Sequence, residues 1–280
     1  MHIPPYDNQN QPIVDIHHPL VPLNYFNIVK LKKGETFGFA VPDYEICLVP
    51  ATGLIDVQVA GFIVRNLGGR GVDVWDGEPE GAYIPTGQEA RFTCVSDHAE
   101  VFIAGAKCDE VFEPFAVRHD EIDLVQYGSD DTKTHRKIKH ILGQKQAGRV
   151  RRLLVSELFT VGAGGWSGFP SHKHDTDRLP TETRHDETYN FRFRPAHGSG
   201  MQMLQRESGK PGEAFHVMNG STFMIDKGYH PCCALPGYEM YYFTILGGLS
   251  QRPLVQYFQP EHAYQIETIP GIKDMIAKFK

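Results

Sequence analysis

Two histidines one residue apart, His172 and His174, have the types and spacing that most directly suggest chemistry in this sequence. Side chains alternate between the faces of a strand, so both imidazoles would project from one face. Glu187 follows in a strand-like run, and His230 stands in a Gly-Tyr-His-Pro turn. Three imidazoles and one carboxylate suit a borderline divalent metal that keeps positions open for a substrate. We expect Zn or Mn first, with Fe, Co or Ni as alternatives. A His-x-His pair can also be an ordinary surface feature, and the strand context of Glu187 is what favours the metal.

Basic residues near these ligands suggest an anionic substrate. Lys173 lies between the two histidines and should point off the metal face, while Lys227 lies close to His230. Counting by two from Glu187 places Arg192 on the opposite face of its strand unless a bulge intervenes. Arginine favours bidentate contacts with carboxylates, although each of these side chains could equally be an ordinary surface charge.

The elements that must position these residues are predicted to be strands. Short apolar or alternating runs, broken by glycines and other turn residues, extend from Phe26 to about Ala106 and resume at Arg152. Many short strands at such spacing indicate an all-β sandwich or barrel. We expect few helices: a helical turn or two at 138–142, and a short helix at 271–278.

A duplicated barrel is suggested by a weak similarity between the two halves. Residues 82–87 and 222–228 share an apolar run, a turn and a glycine, but only the second copy continues to a histidine. The more charged stretch 107–150, with its linker-like section 128–133, separates the halves. We therefore predict an N-terminal barrel without metal ligands at 1–125 and a C-terminal barrel with the metal site at 126–280.

Composition excludes several other classes of protein. The formal net charge is −6 and no dense Lys/Arg cluster occurs, which argues against nucleic-acid binding. The five cysteines are few, odd in number and scattered, as expected in a reducing cytoplasm. No apolar run is long enough to span a membrane, and the N-terminus lacks the pattern of a signal peptide. Nucleophile-elbow, Walker and dinucleotide-binding glycine motifs are also missing from the sequence.

Several motifs together resemble the bicupin family of 5-deoxy-glucuronate isomerases of inositol catabolism. The resemblance covers roughly residues 28 to 248 and is stronger in the C-terminal half. It is carried by the runs Trp166-Ser167-Gly168-Phe169-Pro170-Ser171-His172-Lys173-His174-Asp175, Glu187-Thr188-Tyr189-Asn190-Phe191-Arg192-Phe193, Lys227-Gly228-Tyr229-His230-Pro231 and Pro236-Gly237-Tyr238, and by Leu67-Gly68-Gly69-Arg70 and Ala82-Tyr83-Ile84-Pro85 in the first half. The segment 127–131 and Asp226 depart from the family pattern, which leaves an isomerase of a related uronate open.

The resemblance implies a bicupin fold and a metal-dependent aldose–ketose isomerisation of 5-deoxy-D-glucuronate to 5-dehydro-2-deoxy-D-gluconate. A positioned base would move a proton between C2 and C1, and Glu187 and Tyr241 are the catalytic candidates, with metal-bound water as an alternative. The resemblance further implies contacts with substrate hydroxyls, for which the candidates are Tyr189, Tyr229, Tyr241 and Tyr242, although each could equally belong to the core. It also implies that one basic residue, with Lys173, Arg192 and Lys227 as candidates, holds the carboxylate.

Two other functional classes stay open on the sequence: a cupin dioxygenase, and a sugar-binding β-barrel without catalysis. The predicted partner of the protein is a small sugar acid rather than a nucleic acid or a membrane. We also expect a homo-oligomer, because exposed sheet edges are usually covered and the Pro-rich N-terminal arm could wrap a second copy.

Overall fold

The computed structural model describes residues 1–278, and nearly all of its regular elements are strands. Strand β1 (His2–Ile3) precedes the first barrel, which comprises β2 (Asn24–Lys32), β3 (Thr36–Phe39), β4 (Tyr44–Val59), β5 (Phe62–Arg70), β6 (Gly81–Ile84), β7 (Ala90–Cys94), β8 (His98–Lys107) and β9 (Phe115–Val117). The order β2-β8-β4-β6-β9 forms one side of this barrel. The long β4 continues into the other side, where it pairs with β5 and β7, and β7 pairs with β3.

The second barrel takes up the rest of the chain. Its strands are β10 (Asp123–Tyr127), β11 (Arg136–Leu142), β12 (Leu153–Thr160), β13 (Trp166–Ser167), β14 (His172–Lys173), β15 (His185–Arg194), β16 (Ser199–Leu204), β17 (Glu213–Met218), β18 (Thr222–Ile225), β19 (Cys232–Ala234), β20 (Glu239–Gly248) and β21 (Tyr257–Phe258). A seven-stranded sheet runs β1-β18-β15-β20-β12-β11-β10, and the smaller sheets are β13-β19-β16-β17 and β14-β21.

Helices are few and short, as predicted. Two α-helices, α1 (Gln265–Thr268) and α2 (Ile272–Lys278), follow the last strand, and three 3-10 turns lie at His119–Glu121, Gln144–Gln146 and Pro260–His262. The helix expected at 271–278 is therefore confirmed, while the helical turn expected at 138–142 is wrong because these residues belong to β11. The register of β11 against β12 shifts between His140 and Leu142. This bulge interrupts the strand alternation and makes the apolar spacing resemble that of a helix.

Three large apolar cores and a small cluster of Leu154, Leu246 and Leu254 lie within residues 1–278. Of the three large cores, one fills each barrel, and the third lies between them, where residues such as Phe26 and Phe102 of the first half meet Phe243 of β20. The rings of Phe102 and Phe243 are 4.7 Å apart. Strand β20 is buried along nearly its whole length because its alternate faces serve different cores: Tyr241 and Phe243 face the first barrel, and Tyr242 faces the interior of the second.

A buried ion pair also joins the two barrels. Arg70 Nη1 donates to both carboxylate oxygens of Glu157, at 2.8 and 3.0 Å, and both side chains are buried. Arg70 Nη2 also donates to the carbonyl of Pro50. Breaking one partner of such a pair would leave a buried charge unmatched, so the barrels form one packed unit.

The boundary predicted between residues 125 and 126 falls inside β10, whose five residues pair with β11 of the second barrel. The N-terminal arm precedes the first barrel in sequence but packs on the second barrel, since His2 and Ile3 pair with Phe223 and Thr222 of β18. The arm thus packs on its own chain, and it no longer supports the argument that it wraps a second copy. Residues 279–280, at the end of the predicted second domain, lie outside the described residues.

Candidate functional site

The four residues predicted as metal ligands converge inside the second barrel. His172 lies on β14, His174 directly follows it, Glu187 is on β15, and His230 stands in the turn between β18 and β19. All four are buried, and the ligand atoms of the three histidines lie within 4.8 Å of one another. Glu187 Oε2 is 3.1 Å from His174 Nε2 and 3.2 Å from His230 Nε2. Within residues 1–278 this is the one group of three or more potential ligand residues that meets such a spacing.

The three imidazoles are oriented by the main chain. The Nδ1 atoms lie 2.8 Å from Pro170 O for His172, 3.0 Å from His185 O for His174, and 2.8 Å from Gly228 O for His230. A carbonyl oxygen can only accept, so each Nδ1 carries the proton in the neutral ring and each Nε2 presents its lone pair. Three such lone pairs and a carboxylate then face one another. These groups are all acceptors, so a cation between them satisfies the set, and the residues fit a divalent metal.

Burial sets the protonation states that metal binding requires. Burial lowers the pKa of His172 to about 3, and the neighbouring His230 and His174 act in the same direction. Burial alone would raise the pKa of Glu187, but His174 and His230 outweigh it when their Nε2 atoms carry a proton, through hydrogen bonds and positive charge, so this pKa lies well below its ordinary value. A metal ion at the site would take the place of those protons. Near neutral pH the site therefore holds a neutral His172 and an ionised Glu187, the forms that coordinate cations.

The turn that carries His230 depends on Gly228. This glycine has a φ of +100°, and a Cβ atom there would come within 2.8 Å of the carbonyl oxygen of Gln205. Its N–H donates to Asp175 Oδ2 at 2.9 Å, which ties the turn to the segment that follows His174. On the other side of the site, Thr244 Oγ1 donates to Glu187 Oε1 at 3.1 Å and fixes the carboxylate. A larger residue at 228 would displace the last histidine from the cluster.

A small cavity of about 30 Å³ adjoins the cluster. It is lined by His172, His174 and Glu187, by Tyr189 and Tyr242, and by Arg136, Thr244, Gln256 and Met275 among others. Gln256 Nε2 lies 2.9 Å from His172 Nε2. Arg136, Gln256 and Met275 were not predicted from the sequence. Arg136 could have been found from the alternation of Arg136 and Ile138, had the stretch been assigned as a strand.

The basic residues predicted to bind substrate are engaged elsewhere. Lys173 Nζ donates to Asp175 and to the fully buried Glu182, Arg192 Nη2 donates to Glu100 of β8 at 2.8 Å, and Lys227 is exposed. Lys173 and Arg192 point away from the metal face, as the strand alternation predicts. Their assignment as substrate contacts stays a prediction, and none of the three lines the cavity in this structure.

Tyr189 and Tyr229, the other predicted substrate contacts, differ in their position relative to the cavity. Tyr189 lines the cavity, and its ring centroid lies 6.5 Å from that of His230. Tyr229 is buried on the side of the Lys173, Asp175 and Glu182 charges and does not line the cavity, so its predicted substrate contact is not supported.

Tyr241, predicted to be catalytic, lies outside the lining of the cavity. Its hydroxyl donates to Glu157 Oε1 at 3.0 Å, and its ring packs on Phe159 and Trp75 between the barrels. The neighbouring Tyr242 lines the cavity instead. A strand sends adjacent side chains to opposite faces, so a shift of one residue moves the hydroxyl from the site to the inter-barrel core.

A larger open groove of about 610 Å³ lies away from this cluster, between the N-terminal arm and both barrels. Its basic side chains are already paired, Arg192 with Glu100 and Lys30 with Glu100. No potential metal-ligand group lies along it within residues 1–278. We therefore take the smaller cavity as the functional site, since that is where the unmatched charges and ligands converge.

The fold and the buried His–Glu cluster define the chain as a cupin-type protein with two barrels. It is similar in structure to oxalate decarboxylase of Lactobacillus farciminis, with a TM-score of 0.64, 95% of this chain and 86% of that chain covered, and 10% identity, which concerns the fold alone. An IolB-like protein from Salmonella typhimurium LT2 is much more similar: the TM-score is 0.85 at 26% identity, over 94% of this chain and 98% of that one.

The sequence comparisons identify the family. The sequence profile of the KduI/IolB family matches residues 2–265, and the chain belongs to that family. It is 30% identical over 244 residues to the 5-deoxy-glucuronate isomerase of Geobacillus kaustophilus, covering 87% of this chain and 86% of that protein. The corresponding protein of Bacillus subtilis (strain 168) is 28% identical over 243 residues, covering 86% and 87%. The resemblance inferred from the sequence motifs is confirmed. No helix within residues 1–278 is both long and apolar enough to cross a membrane.

Proposed function

We propose that this protein is an aldose–ketose isomerase that converts 5-deoxy-D-glucuronate to 5-dehydro-2-deoxy-D-gluconate. The observation that carries the proposal is the convergence of His172, His174, Glu187 and His230 beside a cavity, in a chain of the KduI/IolB family whose relatives are named 5-deoxy-glucuronate isomerase. The substrate lacks the 5-hydroxyl and cannot close a pyranose ring, so its open-chain aldehyde is accessible to the site.

The residues that would hold the metal are His172, His174, Glu187 and His230, with Zn or Mn as the first candidates and Fe, Co or Ni as alternatives. A divalent cation there would polarise the substrate carbonyl as a Lewis acid. Structural zinc favours closed, sulfur-rich shells, so a His₃Glu set beside a cavity favours a catalytic role over a purely structural one.

The protein's own side chains supply the proton chemistry. The reaction removes a proton from C2, returns one to C1 and shifts the hydroxyl proton of C2 to the former aldehyde oxygen, so no redox partner is consumed. Glu187 is the carboxylate that lines the cavity and is our candidate for the base. Burial, together with the charge of Glu187, raises the pKa of Tyr189 well above its ordinary value, so its hydroxyl stays protonated and can donate to a substrate oxygen. Tyr241 has no part in this scheme.

Entry of a six-carbon acid requires part of the wall to move, because about 30 Å³ holds roughly one water molecule. The segment after β20 supplies Leu254, Gln256 and Met275 to the wall and contributes none of the four proposed ligands. We assign the opening to this segment.

The test is an anaerobic isomerase assay of the purified protein, with elemental analysis of the same sample. We expect ketose formation without oxygen uptake and about one divalent metal per chain. His172→Ala and His230→Ala should both lose the metal and turnover. His216→Ala, in a β17 position outside the cluster, is the matched control and should keep both. Turnover that requires oxygen would favour a dioxygenase instead. Undiminished turnover in metal-free His172→Ala would refute the catalytic metal.

We also propose a reducing compartment such as the cytoplasm and a homo-oligomeric state. All five cysteines are buried and free. This supports a reducing environment, in which protein thiols persist. The oligomer stays a prediction that depends on covering exposed sheet edges. Sedimentation that shows only a species of 31.5 kDa would reject it.

A further inference from the structure

Three arginines of the second barrel and its interface are buried, and they differ in what neutralises them. Arg70 pairs with Glu157. Arg252 donates to the carbonyls of Leu153 and Gly143 and lines no described part of the cavity. Arg136 lines the cavity beside the metal ligands and has no carboxylate within ion-pair distance among residues 1–278. Buried charges in proteins are usually paired or bind an ion. Arg136 and Arg252 both lack a carboxylate partner among residues 1–278, but only Arg136 lines the cavity, so Arg136 is the one that a ligand in the cavity could neutralise.

The guanidinium of Arg136 is held rigidly by neutral partners. Its Nη1 donates to Tyr127 Oη at 2.7 Å, and its Nη2 donates to Tyr242 Oη at 2.9 Å. Its central carbon lies 5.6 Å from the ring centroids of Tyr127 and Phe169. The Nε atom is buried and has no hydrogen-bond partner. The side chain therefore keeps a free N–H and its full positive charge, already oriented, next to the cavity.

Two aromatic rings connect this arginine to the proposed metal centre. Tyr242, which accepts from Arg136, lies 4.4 Å between ring centroids from Tyr189, and the Tyr189 ring lies 6.5 Å from that of His230. The cavity is thus lined both by a cluster that suits a polarised carbonyl and by a cation that suits a carboxylate. These are the two ends of an open-chain uronate.

We propose that Arg136 binds the carboxylate of the substrate and makes the enzyme specific for a sugar acid. This inference rests on the proposed function for the identity of the acid. The free Nε–H and a remaining N–H of an adjacent Nη form the edge that receives the two carboxylate oxygens. Lys173, Arg192 and Lys227 cannot take this role because they are paired or exposed away from the cavity.

The experiment compares the acid with its neutral counterpart. Isomerisation kinetics are measured for 5-deoxy-D-glucuronate and for the analogue that carries a hydroxymethyl group in place of the carboxylate. The aldehyde of each compound is also reduced to an alcohol, and the two alcohols cannot isomerise. Calorimetry measures the binding of these two alcohols to the protein. The proteins are wild type, Arg136→Gln, Arg136→Lys and the control Arg192→Gln, an arginine on the opposite face of β15. Metal content is determined for each.

We expect wild type and Arg192→Gln to prefer the acid strongly in kcat/KM and in binding. Arg136→Gln should lose on the order of 100-fold for the acid and change little for the neutral analogue, so the preference collapses while the metal content is kept. Arg136→Lys keeps the charge but not the fork and should retain part of the preference.

The proposal is overturned if metal-loaded Arg136→Gln keeps the preference for the acid. If that variant does not fold, Arg136→Lys with an undiminished preference overturns it too, as does a wild type that binds the reduced acid and the reduced neutral analogue equally. Failure of the proposed function would look different: wild type would bind the reduced acid in an Arg136-dependent way without isomerising the aldehyde.

Discussion

Two adjacent tyrosines on β20 test whether side chains on opposite faces of this strand have different roles, one in stability and the other in substrate binding. Tyr241 and Tyr242 have the same chemistry and near-complete burial, but they face different cores. We predict that Tyr241→Phe lowers stability and leaves isomerisation unchanged. We predict that Tyr242→Phe lowers kcat/KM for the acid substrate.

The magnitudes follow from the hydrogen bonds that each hydroxyl makes. The Tyr241 hydroxyl donates to the charged Glu157 at 3.0 Å, and hydrogen bonds to charged groups are worth about 1.5–3 kcal/mol. Arg70 still contacts both oxygens of Glu157 in the variant, so we expect the lower end, about 1.5 kcal/mol. The Tyr242 hydroxyl accepts from Arg136 at 2.9 Å and lies 2.5 Å from Ser167 Oγ. Its loss frees the guanidinium to move, and a cost of about 1.4 kcal/mol corresponds to about a tenfold lower kcat/KM.

The assays are denaturant unfolding of both variants, kinetics with the acid and its neutral analogue, and elemental analysis. Metal content should stay at the wild-type level in each, because neither hydroxyl contacts a proposed ligand. A tenfold or greater loss of kcat in stable, metal-loaded Tyr241→Phe would refute the reasoning, since it would require that hydroxyl to reach the site. Unchanged kinetics in Tyr242→Phe would show that Arg136 does not depend on it.

Three further outcomes are expected. Lys173→Met should destabilise the protein by about 3–5 kcal/mol in denaturant unfolding, because it leaves the buried Glu182 without its principal cation; a cost below 1 kcal/mol would show that other donors suffice. Burial lowers the pKa of His140 to about 4, so the unfolded chain takes up a proton that the folded chain excludes as pH falls from about 6.5 to 4. Wild type should therefore lose about 3 kcal/mol more stability over that range than His140→Gln, and parallel pH profiles would contradict this. Met275→Ala should cost about 2–5 kcal/mol in stability and lower the KM for the acid by opening the cavity wall, whereas an unchanged KM would place the opening elsewhere.

The sequence by itself determined the fold class and predicted the set of residues that meet at the candidate site. Short strands with glycine turns predict a β-barrel protein because period-two burial is a local property of the chain. His172 and His174 share a face for the same local reason, and the motifs around Glu187 and His230 fixed the family. The faces of Lys173 and Arg192 also followed from counting along a strand.

Only the tertiary structure decided which groups meet across the barrel. In β11, a bulge between His140 and Leu142 gave the apolar residues a helix-like spacing. The strand was therefore predicted as a helical turn, and the position of Arg136 was not predicted. On β20, both faces are buried, one against each barrel, so burial could not tell Tyr241 from Tyr242. The physical reason is the same in both cases. A periodic pattern predicts that one face of a strand is buried. The residues that cover this face come from distant parts of the chain, and they decide whether a buried charge has an ion-pair partner.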